Sequence, residues 1–162
     1  MENYGPREIV GIAVNVEKAG IGLYGELEKR AGNNKVREIW NYLRLQEENH
    51  KRMFENLLKD LPESPVYEVK SGEYETYLRA IASNYVFTLE LIEEKKRELF
   101  SSDLEAVDFG IYIEKESILT YSALKEYLET KTGPVLENII REEKRHLADL
   151  TLLKEELKKG GE

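Results

Sequence analysis

The sequence predicts an all-α fold: a four-helix bundle with a long helical crossover between its second and third long helices. Three observations lead there. Apolar residues recur at helical spacing through four long stretches, and the breaks inside the first pair and inside the second pair are short. Between the two pairs lie about forty residues, far more than an ordinary loop needs.

The first helix is expected over about 6–31. Pro6 suits a first helical turn, where its missing N–H would be unpaired anyway. Val10, Val14, Ile21, Tyr24, Leu27 and Ala31 then mark one stripe, until Gly32-Asn33-Asn34 stops it. Four interior glycines, Gly11, Gly20, Gly22 and Gly25, weaken this helix and are expected to let a neighbouring helix approach closely. The second helix, about 35–61, carries Val36, Trp40, Leu43, Glu47, His50, Phe54, Leu57 and Leu61 in one stripe, and Pro62 ends it. Trp40 is expected to pack in the core.

The crossover, about 62–101, reads as an extended connection over 63–72 followed by two shorter helices. These run roughly over 73–86 and 89–100, with Thr88 as the N-cap of the second. Ser101-Ser102-Asp103 offers the next cap, and Val107, Ile111, Glu114, Ile118, Tyr121, Leu124 and Leu128 mark the third long helix, about 103–131. Thr132-Gly133-Pro134 breaks it. The last helix, about 134–158, carries Leu136, Ile139, Glu143, His146, Leu150, Leu153 and Leu157 before a polar end expected to fray. Short turns make each pair an antiparallel hairpin, and the long crossover returns the third helix parallel to the second. This is ferritin-like topology in a single domain, 1–162.

Composition narrows the function. With no cysteine, thiolate metal sites, disulfides and thiol nucleophiles are excluded, so any metal must be held by oxygen and nitrogen. A net charge of -8, with basic residues scattered among acidic ones, argues against nucleic acid or an anionic membrane as partner. Met1-Glu2-Asn3 opens no signal-peptide pattern and no stretch approaches a membrane span, so a soluble cytoplasmic protein is expected.

The chemistry lies in the two histidines. Each ends a Glu-x-x-His step, Glu47 to His50 and Glu143 to His146, and each step follows a Glu inside an apolar stripe: Glu17, 30 residues before Glu47, and Glu114, 29 before Glu143. A Glu on a helix ordinarily belongs to a solvated face. These four instead replace apolar residues within the stripes that must face the core, as do both histidines. Residues seven apart differ by about 20° around a helix, so Glu17 points with Val10 and Tyr24, and Glu114 with Val107 and Tyr121. Burying four carboxylates without partners costs several kcal/mol per ion, and no Lys or Arg shares the stripe nearby. Two divalent transition metals would neutralise the carboxylates and take the imidazoles as nitrogen ligands. Within each step, i and i+3 share a face and can reach one metal.

The halves are also related in sequence. Residues 17–24 (EKAGIGLY) align with 114–121 (EKESILTY), keeping Glu, Lys, Ile and Tyr in register. The site should therefore have approximate twofold symmetry, with one metal mainly at each histidine and Glu47 and Glu143 available to bridge.

These two Glu/Glu-x-x-His halves, with the shared Glu-Lys-x-x-Ile-x-x-Tyr phrase, resemble the di-iron domain of the rubrerythrin family over nearly the whole chain. The resemblance implies Glu17, Glu47, His50, Glu114, Glu143 and His146 as ligands of two iron ions, with manganese or a mixed pair as the alternative. It implies that Tyr24 and Tyr121 donate hydrogen bonds to ligand carboxylates. It also implies reduction of H2O2 or O2 with electrons from a partner, or oxidation of Fe(II). Two departures stand out. The family's four-cysteine, rubredoxin-like iron site has no counterpart in the sequence, so electrons are expected from a separate, rubredoxin-like donor. The further Glu that the family often has one turn after the third-helix ligand is Ser117, matched by Gly20 in the other half, which puts a redox-linked ligand exchange in question and leaves room for a bound oxygen species. A homodimer is expected from the aromatic surplus of the crossover. The contrasting reading is a non-enzymatic module with structural metals, docking a partner through Tyr67, Tyr74, Tyr77 and Tyr85, or an iron-storage protein.

Overall fold

The structure is a computed structural model that describes residues 6–61, 72–98, 100–128 and 132–160. Among the described residues the chain forms α1 (Pro6–Arg30), α2 (Asn34–Asp60), α3 (Gly72–Arg97), α4 (Asp103–Tyr127) and α5 (Gly133–Lys159). The Asn33 side chain caps α2 by accepting from Val36 N–H at 2.9 Å, and Ser102 caps α4 by accepting from Glu105 N–H at 3.2 Å. Pro134 sits in the first turn of α5. No helix among the described residues is long and apolar enough to cross a membrane.

α1 pairs with α2 and α4 with α5 as two hairpins, which meet through α1 against α4 and α2 against α5, while α3 lies across α1 and α4. Side chains tie the hairpins internally and to each other. Arg7 donates to the carbonyls of Leu58 and Leu61 at the end of α2, at 2.9 and 2.7 Å. Asp103 at the start of α4 accepts from Gly32 N–H in the first turn, at 2.9 Å.

The sequence stripes hold well in α2 and α5. Val36, Trp40, Leu43, Glu47, His50 and Phe54 are buried on α2, and Leu136, Ile139, Glu143, His146, Leu150 and Leu153 on α5. Elsewhere the structure corrects the expectation. The crossover carries one continuous helix, α3, rather than two. Thr88 does not cap a new helix: its hydroxyl donates to the Asn84 carbonyl one turn back, at 2.9 Å, and no Gly or Pro interrupts the run. α4 ends at Tyr127, four residues short of 131, because Leu128 takes φ −87° and ψ 13° and leaves the helix. α5 runs to Lys159, one residue past the expected 158. On α1 the buried residue is Leu23, with Ile21 only partly covered. Of the four α1 glycines, Gly20 alone faces the site: a Cβ there would lie 3.2 Å from Glu47 Oε2. Gly22 and Gly25 meet only the flexible ends of Lys96 and Arg44, and Gly11 meets nothing. The expected extended connection and Tyr67 lie outside the described residues, as do the last expected residues of the third long helix, 129–131.

The core is split in two along the bundle. One cluster gathers Val10, Val14, Phe54, Tyr121, Leu136 and Ile139; the other gathers Leu23, Leu27, Trp40, Leu43, Val107 and Leu150. On every long helix the break between them falls at the expected polar residues: Glu17, Glu47 with His50, Glu114, and Glu143 with His146. Each is at most 4% exposed. A polar layer is thus clamped between two apolar ones.

Candidate metal centre

α1 and α4 each bring one carboxylate to the layer, and α2 and α5 each bring a carboxylate and an imidazole one turn apart. The six side chains meet in two overlapping groups. Glu17, Glu47, His50 and Glu143 each offer a donor atom within 4.8 Å of the others, and so do Glu47, Glu114, Glu143 and His146. Glu47 and Glu143 belong to both groups.

Both imidazoles turn Nδ1 towards the carboxylates. His50 Nδ1 lies 3.0 Å from Glu143 Oε1, misaligned for a hydrogen bond, and 3.9 Å from Glu17 Oε2. His146 Nδ1 lies 3.2 Å from Glu143 Oε2, 3.6 Å from Glu114 Oε2 and 3.9 Å from Glu47 Oε1. The rings are roughly parallel, with centroids 5.7 Å apart.

Two tyrosines cross-link the halves. Tyr24 on α1 donates to Glu114 Oε1 on α4 at 2.5 Å, and Tyr121 on α4 donates to Glu17 Oε1 on α1. Burial and the neighbouring carboxylates push both phenols well above their ordinary range, so they stay protonated donors. Behind Tyr24 stacks Trp40, with centroids 5.5 Å apart, and behind Tyr121 lies Phe54 at 5.1 Å. Trp40 is fully buried and packed, as its place in the stripe predicts.

Burial sets the protonation of the layer. It lifts the Glu17 and Glu114 carboxyls well above the carboxylate range, reinforced by the charge of Glu47 and of Glu143 respectively. Burial and Glu143 lift Glu47 to about 6. For Glu143, burial is outweighed by the facing imidazoles of His146 and His50, which hold it below the usual range. Burial lowers both imidazoliums, but Glu143 lifts His50 to about 9, and Glu114 with Glu143 lifts His146 to about 11. At neutral pH, then, both histidines are imidazoliums facing the ionised Glu143.

Protons alone leave the layer poorly satisfied. Glu17 Oε2, Glu47 Oε1, His50 Nδ1, Glu114 Oε2 and Glu143 Oε1 are buried with no hydrogen-bond partner among the described residues. Buried polar atoms are normally paired, and such a convergence of unpaired oxygen and imidazole donors fits a pair of divalent cations.

Above the layer, under α3, lies a cavity of about 20 Å³ reaching Glu47. That is room for about one water-sized molecule. It respects the repeat: Val16 and Gly20 line it from α1, and the equivalent Ile113 and Ser117 from α4, with Thr88 of α3 closing one side.

Sequence reasoning missed several contributors. Glu142 Oε2 lies 2.7 Å from His50 Nε2, and the doubled acid Glu142-Glu143 was the available signal. Gly110 leaves space for the Trp40 ring; a Cβ there would come within 2.8 Å of Cη2. Asn84 of α3 donates to Glu116 beside the cavity. Of the crossover tyrosines, Tyr77 is exposed.

The family model for Rubrerythrin matches residues 8–154, which span all five helices and all six donors. No curated protein and no solved structure matches the chain.

Proposed function

The chain belongs to the rubrerythrin family of di-iron carboxylate proteins, and from that premise we propose that it is an oxidoreductase that reduces a small oxidant, H2O2 or O2, at a pair of iron ions. Glu17, Glu47, His50 and Glu143 would hold one ion, and Glu47, Glu114, Glu143 and His146 the other, with Glu47 and Glu143 shared. The observation that carries this reading is the pair of overlapping donor groups, which offer two cations shared carboxylates rather than two separate cages. Bound there, two ferrous ions supply two electrons together to one oxidant molecule.

The protein's own groups do the rest. Tyr24 and Tyr121 hold Glu114 and Glu17 by their outer oxygens, which orients the remaining oxygens inward. The cavity under α3 reaches Glu47 and has room for about one water-sized molecule beside the donors. The flanking apolar clusters keep bulk water from the layer. These 162 residues hold no cysteine for a thiolate iron site, so a redox centre outside them would supply the electrons.

The test is an anaerobic Fe(II) load followed by H2O2 or O2 in stopped flow. Two irons per chain and a fast near-ultraviolet rise with stoichiometric consumption of oxidant support the proposal. A protein that binds two irons but reacts no faster than free Fe(II) leaves only a structural metal role.

A further inference from the structure

The repeat is broken on the outer side of the two imidazoles. On α5, Glu142 immediately precedes Glu143 and meets His50 Nε2, the ring nitrogen facing away from the carboxylate cage, at 2.7 Å. Asn138, one turn earlier, holds the other Glu142 oxygen at 3.4 Å. On α2, the positions one and five residues before Glu47 are Gln46 and Tyr42. Tyr42 packs against His146 with centroids 5.8 Å apart and planes at 87°. His146 Nε2 is buried and has no hydrogen-bond partner among the described residues, and partly buried Gln46 makes no bond to it.

We propose that Glu142 is a positioning residue for His50 that makes the two metal subsites unequal, so that the subsite of Glu17, Glu47, His50 and Glu143 binds its cation more tightly and fills first. This rests on the ligand assignment of the preceding subsection. An imidazole that donates Nε2–H to a carboxylate is fixed in the tautomer whose Nδ1 lone pair faces the metal, and the carboxylate raises its strength as a ligand. His50 has such a partner. His146 Nε2 has no such partner among the described residues, so neither its tautomer nor its basicity is set by an acceptor side chain. Glu142 is itself 24% exposed, so replacing it opens no hole in the core.

The experiment is an anaerobic Co(II) titration of the metal-free protein, followed by calorimetry and by the visible cobalt bands. Repulsion between two cations separates two steps even in a symmetric site, so single-subsite variants carry the comparison. E114Q, which leaves the Glu17 subsite intact, is expected to hold one Co(II) about 10- to 100-fold more tightly than E17Q does. E142Q should weaken the first step of the otherwise native protein by a similar factor and leave the second unchanged. Q46E, which gives His146 a carboxylate, should strengthen the second step and narrow the gap. Equal affinities in E17Q and E114Q, or an E142Q titration that overlays the native one, overturn the proposal while leaving the six ligands in place. Failure of Co(II) to bind the native protein at all removes the ligand assignment and this inference together.

Discussion

Metal loading of this site should expel protons in a number that can be worked from the structure. Near pH 7 the layer holds His50, lifted to about 9, and His146, lifted to about 11, as imidazoliums, while burial pushes the Glu17 and Glu114 carboxyls towards the protonated form. Glu47, at about 6, is mostly ionised, and Glu143 fully so. Ligation requires neutral imidazoles and ionised carboxylates, so two divalent cations displace at least the two imidazolium protons, together with the protons that Glu17 and Glu114 retain. Lowering the pH to 5 protonates Glu47 and should add about one proton to the release; raising it above about 9 removes the His50 proton beforehand and should subtract about one. Anaerobic titration with Mn(II) in buffers of different ionisation enthalpy reads the number directly from the slope of apparent heat against buffer heat. Two Mn(II) bound with a release near zero at pH 7 would refute the reasoning, because the protonated cluster and the metal cage would then be different groups.

The same protonation makes the metal-free protein sensitive to alkali. Its raised imidazoles and carboxyls bind more protons folded than unfolded, so their contribution, complete for the histidines below pH 6.5, is lost as pH rises through about 9 and 11. Its Tm should fall steadily across that window, while the Mn(II)-loaded protein should hold its Tm. Y121F removes the donor to Glu17 and should cost about 10- to 100-fold in metal affinity by calorimetry without changing the two-ion stoichiometry. S117L fills the cavity beside Gly20 and should slow the oxidation of bound Fe(II) by about tenfold while leaving Mn(II) affinity unchanged. G110A drives a methyl into the Trp40 ring and Leu150 and should lower unfolding free energy by about 1–3 kcal/mol in urea.

What the sequence made legible follows from what periodicity reports. A stripe records which face of a helix turns inward, and on α2 and α5 that face is continuous, so apolar and polar inward residues were found together. α1 and α4 are richer in small and apolar residues on more than one face. There the choice between Ile21 and Leu23, or between Ile111 and Ile113, depends on the neighbour rather than the spacing. The continuity of α3 was hidden because Thr88 is a good cap and an acceptable interior residue, and only its bond to the Asn84 carbonyl decides. Gly110 was equally mute: its reason is the Trp40 ring arriving from another helix.

The twofold order of the site and its one flaw have different visibility for a physical reason. Four carboxyls and two imidazoles between two apolar clusters cannot tolerate a missing partner, so both halves must carry the same donors at matching spacing, and that requirement is written into the chain. The far side of each imidazole lies under no such requirement. Glu142 with Asn138 and Gln46 with Tyr42 are both compatible with a partly covered helix face, so beyond the doubled acid Glu142-Glu143 the sequence does not distinguish the histidine that meets a carboxylate from the one that packs against a ring. Symmetry is enforced where burial is complete and relaxes one ring-width outward. It is at that boundary, not among the ligands, that this fold has the freedom to make its two metals different.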